Sequence, residues 1–229
     1  MDYIVGDVLD YILSLGFYRF HKCIFTTTEV VLDDESNIPK DVFWLRTNLL
    51  KVTDLKSHKI YKKNKQFNIQ ITNAIIDNEI ENLYQKYKSN LTFEPSNSVW
   101  NCLQGNEEPK CDFDTKMIQI RDGQKLIACG YFDIGLKTLA GIMNFYDPDY
   151  KKYSLSKYMM LLKMEFGILN NMEYYYPGYI VLNSTRFDYK IFPNEEAMEV
   201  FLFDEKKWEP YQNYQKEGLA KMGYWAFFS

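Results

Sequence analysis

The chain has 229 residues and a mass of 27.3 kDa, and its 27 Lys plus Arg against 31 Asp plus Glu give a formal net charge of −4. At 46% apolar and 25% charged residues the composition is that of an ordinary globular protein, which excludes broad disorder, and 7 Pro and 11 Gly are too few for low-complexity linkers or collagen-like repeats. The negative balance excludes a protein that grips nucleic acid by bulk charge and leaves a local basic patch for that role.

Cys23, Cys102, Cys111 and Cys129 contain no Cys-x-x-Cys pair, and His21 and His58 stand alone, so the sequence predicts no metal or iron–sulfur centre and no cofactor. Cysteines this sparse are expected to be reduced thiols. The opening Met1-Asp2-Tyr3-Ile4 lacks a signal-peptide pattern, and no apolar run approaches the ~20 residues that span a bilayer. A cytoplasmic location and no membrane partner are the expectation.

In chain order, residues 7–15 carry apolar side chains at three- and four-residue spacing before Gly16, which predicts a short helix with a glycine stop. Residues 17–25 and 42–52, rich in aromatic and β-branched types, predict strands, with an acidic loop at 33–39 between them. Lys51, Lys56, Lys59, Lys62, Lys63 and Lys65 make 51–65 the most basic window. Ile75, Ile76, Ile80, Leu83, Tyr84 and Tyr87 are then expected to share one helical face within 74–87. Residues 94–114 are polar and turn-rich, a candidate connecting loop between an N-terminal α+β region (1–93) and a C-terminal domain (115–229).

After that loop the pattern changes. Residues 117–121, 126–134 and 138–146 predict an antiparallel meander with turns at Asp122-Gly123 and Gly135-Leu136-Lys137. An amphipathic helix follows at 155–169, with Ser154 as its expected N-cap. A strand is predicted at 174–181, a short helix or turn at 183–190, and an extended piece from Ile191-Phe192-Pro193. The order β-β-β-α-β-α-β resembles the GNAT class of acyltransferases, an α+β (α/β) fold with a mixed, largely antiparallel sheet whose strands splay to admit a carbonyl donor. The aromatic tail 208–229 has no assignment.

Three places suit chemistry. Asp147-Pro148-Asp149, between the third meander strand and the helix, is either a turn with a charge bonus or a donor-binding junction. No glycine occurs in residues 150–158, which disfavours a CoA pyrophosphate there. Pro177-Gly178 inside an aromatic strand suggests a bulge whose N–H groups face an oxyanion, or a mere irregularity. Arg186 and Lys190, four apart, suit phosphate or carboxylate as well as solvent.

Together, Phe145-Tyr146-Asp147-Pro148-Asp149, Ser154-Leu155-Ser156-Lys157-Tyr158, Tyr176-Pro177-Gly178-Tyr179 and Arg186-Phe187-Asp188-Tyr189-Lys190 resemble, in order and spacing, the aminoacyl-tRNA–protein transferases, the arginyltransferases and their bacterial leucyltransferase relatives. Gly16-Phe17-Tyr18-Arg19 and the basic segment from Lys56 to Asn64 are similar to the family's first half. The family's N-terminal cysteine cluster is absent, Ser156 replaces a loop glycine, and Leu182-Asn183-Ser184-Thr185-Arg186-Phe187 replaces a His-Ser-Cys-Pro-Lys-Met run.

The resemblance implies an aminoacyltransferase that tags protein N-termini for degradation, with aminoacyl-tRNA and an acceptor N-terminus as partners. It implies Asp147, Tyr146 and Gly178 as catalytic residues. Phe145, Ser154, Ser156, Tyr158, Tyr179, Arg186, Tyr189 and Lys190 would bind substrate, and Lys56, Lys59, Lys62 and Lys63 would bind tRNA. The departures leave two alternatives: an acyltransferase with another donor, or a non-catalytic relative that binds tRNA or protein.

Overall fold

The computed structural model of the protein describes residues 2–32, 38–105 and 111–222. The first part runs through β1 (Asp2–Ile4), α1 (Asp7–Ser14), β2 (Tyr18–Phe20), β3 (Cys23–Phe25), β4 (Glu29–Val30), β5 (Lys40–Asn48), α2 (Lys59–Asn64), β6 (Asn68–Asn73), α3 (Asn78–Lys88) and α4 (Val99–Gln104). The rest runs through β7 (Cys111–Phe113), β8 (Thr115–Asp122), β9 (Lys125–Ile134), β10 (Thr138–Tyr146), α5 (Leu155–Leu169), β11 (Tyr174–Val181), β12 (Met198–Leu202), β13 (Lys207–Pro210) and α6 (Gln215–Met222).

Nine strands make one sheet in the order β13-β12-β5-β11-β10-β9-β8-β6, with β4 beside β5. Its neighbours are antiparallel except β10 and β11. This is the mixed, largely antiparallel α+β sheet expected. The meander forms because Gly123, at φ 59°, closes a tight β8–β9 turn. Strand β9 is buried on both faces, so it reads as a near-continuous apolar run. Ile127, Ala128 and Phe132 pack with Leu155, Met159 and Leu162 of α5 on one face. Cys129 and Tyr131 pack with Ile80, Leu83 and Tyr84 of α3 on the other.

Several local expectations need correction. Residues 17–25 form a hairpin, β2–β3, because His21 turns the chain at φ 54°. The strand expected to reach residue 52 ends at Asn48, whose side chain accepts from Leu50 N and starts a 3-10 turn. Helix α3 begins only at Asn78, because Asp77 caps it by accepting from Ile80 N. Ser154 is left-handed, φ 54°, and its side chain caps nothing. In place of an extended piece, residues 195–197 form a 3-10 turn ahead of β12. Strand β6, not foreseen, pairs with β8 and half-buries Ile69 and Ile71 at period two. Segment 94–114 carries α4 and β7, and strands from both sides of it share the sheet. Residues 33–37 of the acidic loop, 106–110 of that segment and 223–229 of the tail lie outside the described residues.

The feature that positions the site lies at the centre of the sheet. Strands β10 and β11 pair only over Thr138–Ala140 and Tyr174–Tyr176. Beyond that β10 bulges between Gly141 and Met143, and β11 between Tyr175 and Gly178. Pro177 has no N–H for a ladder, and Gly178 adopts φ 102°, where a side chain is strained. From there β10 follows β9, β11 follows β5, and the two strands part.

Asp147, at the end of β10 and implied by the resemblance as catalytic, does not line this opening. Its side chain is 2% exposed, paired to Lys86 Nζ at 2.6 Å and Lys125 Nζ at 2.7 Å. It also accepts from Asp149 N at 3.1 Å, capping the 3-10 turn Pro148–Tyr153. Burial would raise its carboxyl, but Lys125, Lys86 and the Asp149 N–H overcome that and draw it down to about 2. Against an unfolded value near 3.8, the ionised form stabilises the fold by about 2 kcal/mol above pH ~5, and this is lost as pH falls towards 2. Asp147→Asn should therefore lower the melting temperature by roughly 4–8 °C at pH 7. In urea titrations the stability difference from the parent protein should shrink to about half by pH 3; a gap independent of pH would assign the loss to packing.

Candidate active site

The parting strands enclose a cleft of about 650 Å³. Gly141, Asn144 and Tyr146 of β10 form one wall, and Gly178 and Tyr179 of β11 the other. Ser156, Met160 and Lys163 of α5, spaced four and three apart, present one helical stripe to the cleft. The turn after β11 closes one side with Arg186, Tyr189 and Lys190. Trp44, stacked on Tyr18 with ring centroids 3.8 Å apart and edge-on to Tyr179 at 4.9 Å, closes another. Both are fixed through their polar ends: Trp44 Nε1 donates to Thr27 O and Tyr18 Oη to Leu45 O, each at 3.0 Å.

Of the residues expected at a site, the structure brings together Tyr146, Ser154, Ser156, Gly178, Tyr179, Arg186, Tyr189 and Lys190. Three do not join them. Phe145, between Asn144 and Tyr146, must face the opposite side of the sheet, where it packs fully buried on Tyr84. Tyr158 lies two residues from Ser156 and so turns into the core, edge-on to Tyr61. Asp147 is engaged as described above. Arg186 and Lys190 do not share a helix, since only Asp188–Lys190 forms a 3-10 turn, yet both reach the cleft.

Six basic side chains line the cleft, Arg19, Lys151, Lys157, Lys163, Arg186 and Lys190, and no Asp or Glu does so among the described residues. Arg19 is held in place by Asp133 at 2.8 Å, Thr115 at 2.8 Å and Leu103 O at 2.6 Å, over the Phe113 ring. Arg186 lies 3.7 Å from the Phe93 ring centroid, without a carboxylate partner among the described residues. Lys190 Nζ sits 4.7 Å from the centroid of Tyr179 and 4.9 Å from that of Phe187, and burial lowers its ammonium to about 7. Lys163 is 1% exposed. Sequence reasoning did not single it out, although it is the one charged member of the stripe Leu155-Met159-Lys163-Gly167.

The expected tRNA-binding lysines lie on and beside α2. Lys59 and Lys62 are exposed, Lys56 pairs with Glu165 at 3.1 Å, and Lys63 Nζ donates to Lys152 O at 2.6 Å. With Asn64 Nδ2 donating to Tyr153 O, these bonds dock α2 beside Lys151 and Lys152, so the basic face continues to the cleft mouth. Among the described residues, no group of three or more His, Cys, Asp or Glu side chains is placed to hold a metal ion.

Residues 59–197 match the family model described as arginine-tRNA-protein transferase, C terminus. The chain is 29% identical over 146 residues to arginyl-tRNA–protein transferase 1 of Arabidopsis thaliana, spanning 60% of this chain but 21% of that protein. It is 24% identical over 222 residues to an aspartate/glutamate leucyltransferase of Leptospira interrogans, spanning 92% of this chain and 81% of that protein. Among solved structures, FemX overlaps 79% of this chain and 61% of its own at 10% identity, with a TM-score of 0.47. The family match runs from the start of α2 to the turn before β12 and so takes in both diverging strands and α5. On that match, the chain belongs to the arginine-tRNA–protein transferase family, in the part that its C-terminal model describes.

Proposed function

We propose that this protein transfers an aminoacyl group, of arginyl or leucyl type, from charged tRNA to the N-terminal α-amine of an acceptor protein. The observation that carries the proposal is the cleft: six basic side chains and no described carboxylate, opening between two diverging strands of a protein whose net charge is negative. Such a site favours a polyanion at its mouth and an anionic group inside. The family membership and the two relatives' names supply the chemistry. In this reading the 3′ end of tRNA arrives over Lys59, Lys62, Lys151 and Lys157. The acceptor's nitrogen attacks the ester carbonyl, a C–N bond forms, and the C–O bond to the ribose breaks. The backbone at Gly178 faces the developing oxyanion, and Arg186 and Lys190 take an acidic acceptor residue.

The test is a transfer assay with tRNA charged with labelled arginine or leucine and peptides that begin with Asp, Glu or Ala. Label should move to the acidic peptides, and acetyl-CoA should acetylate none of them; acetylation without transfer from tRNA would replace this reading with that of a thioester-dependent acyltransferase. Arg186→Ala should raise KM for an acidic peptide by roughly 10–100-fold, the worth of one charge-assisted hydrogen bond, and change KM for charged tRNA little. Lys59→Glu with Lys62→Glu should weaken tRNA binding. The slope of log K against log salt should become shallower by ~0.7–0.9 for each phosphate that a lysine no longer neutralises. An unchanged slope would make α2 a solvated face.

A further inference from the structure

Lys163 is a buried lysine without a carboxylate partner among the described residues. Its Nζ donates to Tyr131 O at 2.9 Å and to Asn144 Oδ1 at 2.8 Å, and it lines the cleft. A neutral amine has two N–H bonds and one lone pair. The two acceptors engage both N–H bonds, which leaves the third tetrahedral position to the cleft. The arrangement is built in. Asn144 can fold back towards α5 because β9 carries Gly130 opposite it, where a Cβ would come within 2.4 Å of Asn144 Oδ1. Lys190 differs: among the described residues its Nζ has no hydrogen-bond partner and rests near two aromatic rings, so no fixed acceptor orients it.

Resting on the transfer reaction proposed above, we propose that Lys163 is the base of the cleft, taking the proton from the acceptor's attacking amine and returning it to the departing ribose oxygen. The balance is complete: the amine nitrogen loses a proton as the C–N bond forms, Lys163 carries it as an ammonium, and the ribose oxygen leaves as a hydroxyl.

The groups around Lys163 agree with that role. Strand β9 presents the Cys129 thiol and the Asp133 carboxylate, and Asp133 is already paired with Arg19. Strand β10 contributes the neutral Asn144, and β11 the Tyr175 phenol at the cleft. Helix α2, on the other flank of α5, binds Glu165 through Tyr61, and Lys56 just before that helix pairs with the same carboxylate. Lys157, Arg186 and Lys190 line the same cleft with like charge. Burial lowers the Lys163 ammonium to about 7, close to the ~7.7–8.0 of an α-amine, so the proton moves between nearly matched sites.

Two measurements test this. With the intact protein and saturating charged tRNA, kcat against pH should show an acid limb with its midpoint near 7. Lys163→Met and Lys163→Arg should each lower kcat by roughly 100-fold or more and abolish that limb, with KM for charged tRNA nearly unchanged. Lys190→Met should keep the limb. Independently of turnover, 13Cε-lysine NMR of the parent protein should show a resonance with a midpoint near 7 that is missing from folded Lys163→Met and kept in folded Lys190→Met, which separates it from that of Lys190. The proposal is overturned if Lys163→Met keeps its rate and limb. It is also overturned if Lys163→Arg is fully active, which would make the charge sufficient, or if the Lys163 resonance titrates above pH 9. A parent protein that transfers from no charged tRNA overturns the transferase reading itself, and Lys163 with it, whatever the resonance does.

Discussion

The structure depends on a parallel ladder that is only three residues long. Strands β10 and β11 meet over Thr138–Ala140 and Tyr174–Tyr176 and then separate, each keeping its other neighbour. Two strands separating inside a sheet leave backbone N–H and C=O groups to find other partners, which is costly in a dry core and acceptable in a cleft that admits water or substrate. The divergence is enforced from both sides. The β10 bulge at Gly141/Met143 and the β11 bulge at Pro177-Gly178 each break the register, and Pro177 could not donate to β10 in any case. Beneath the opening α5 packs against β9 and β10, so the floor is a helix stripe and not a void.

The second constraint is electrostatic. An overall charge of −4 hides an uneven distribution. Asp133, Asp147, Glu165 and Glu199 are each paired with a cation outside the group of cleft lysines: Arg19, Lys86 with Lys125, Lys56, and Arg46. These four carboxylates are therefore committed to structure, while among the described residues Lys163, Arg186 and Lys190 line the cleft without one. In an enclosed site such charges act at lower effective dielectric than on the surface, so local arrangement outweighs the net charge. The same logic separates Lys163 from Lys190. Two fixed acceptors hold one nitrogen in a set direction, whereas aromatic faces leave the other free to meet an anion.

Much of the fold was legible in the residues. The meander, α5 and β11 follow from apolar runs and turn residues that agree locally, and Gly178 was marked by its place beside Pro177 in an aromatic strand. The errors were local. The hairpin at His21, the left-handed Ser154 and the late start of α3 at Asp77 depend on backbone angles that several residue types adopt when the surrounding packing requires it. Strand β6 was missed because Asn68, Gln70 and Asn73 weaken an alternation carried by two isoleucines alone.

The sequence by itself determined which segments form strands and helices, the family, and part of the polar lining of the cleft, Arg186 and Lys190 among it, because these are carried by short-range patterns and by motif order. Tertiary structure decided which way each side chain faces. Period-two alternation sends Phe145 away from Asn144, and helical spacing sends Tyr158 into the core while Ser156 and Lys163 face the opening. Asp147, which as a sequence feature read as a turn and cap residue or a donor site, became a cap because folding placed Lys86 and Lys125, 61 and 22 residues away along the chain, on its two oxygens. Long-range pairing of that kind leaves no trace in local sequence: attraction between charges depends on their distance in space, and only the packed sheet sets that distance.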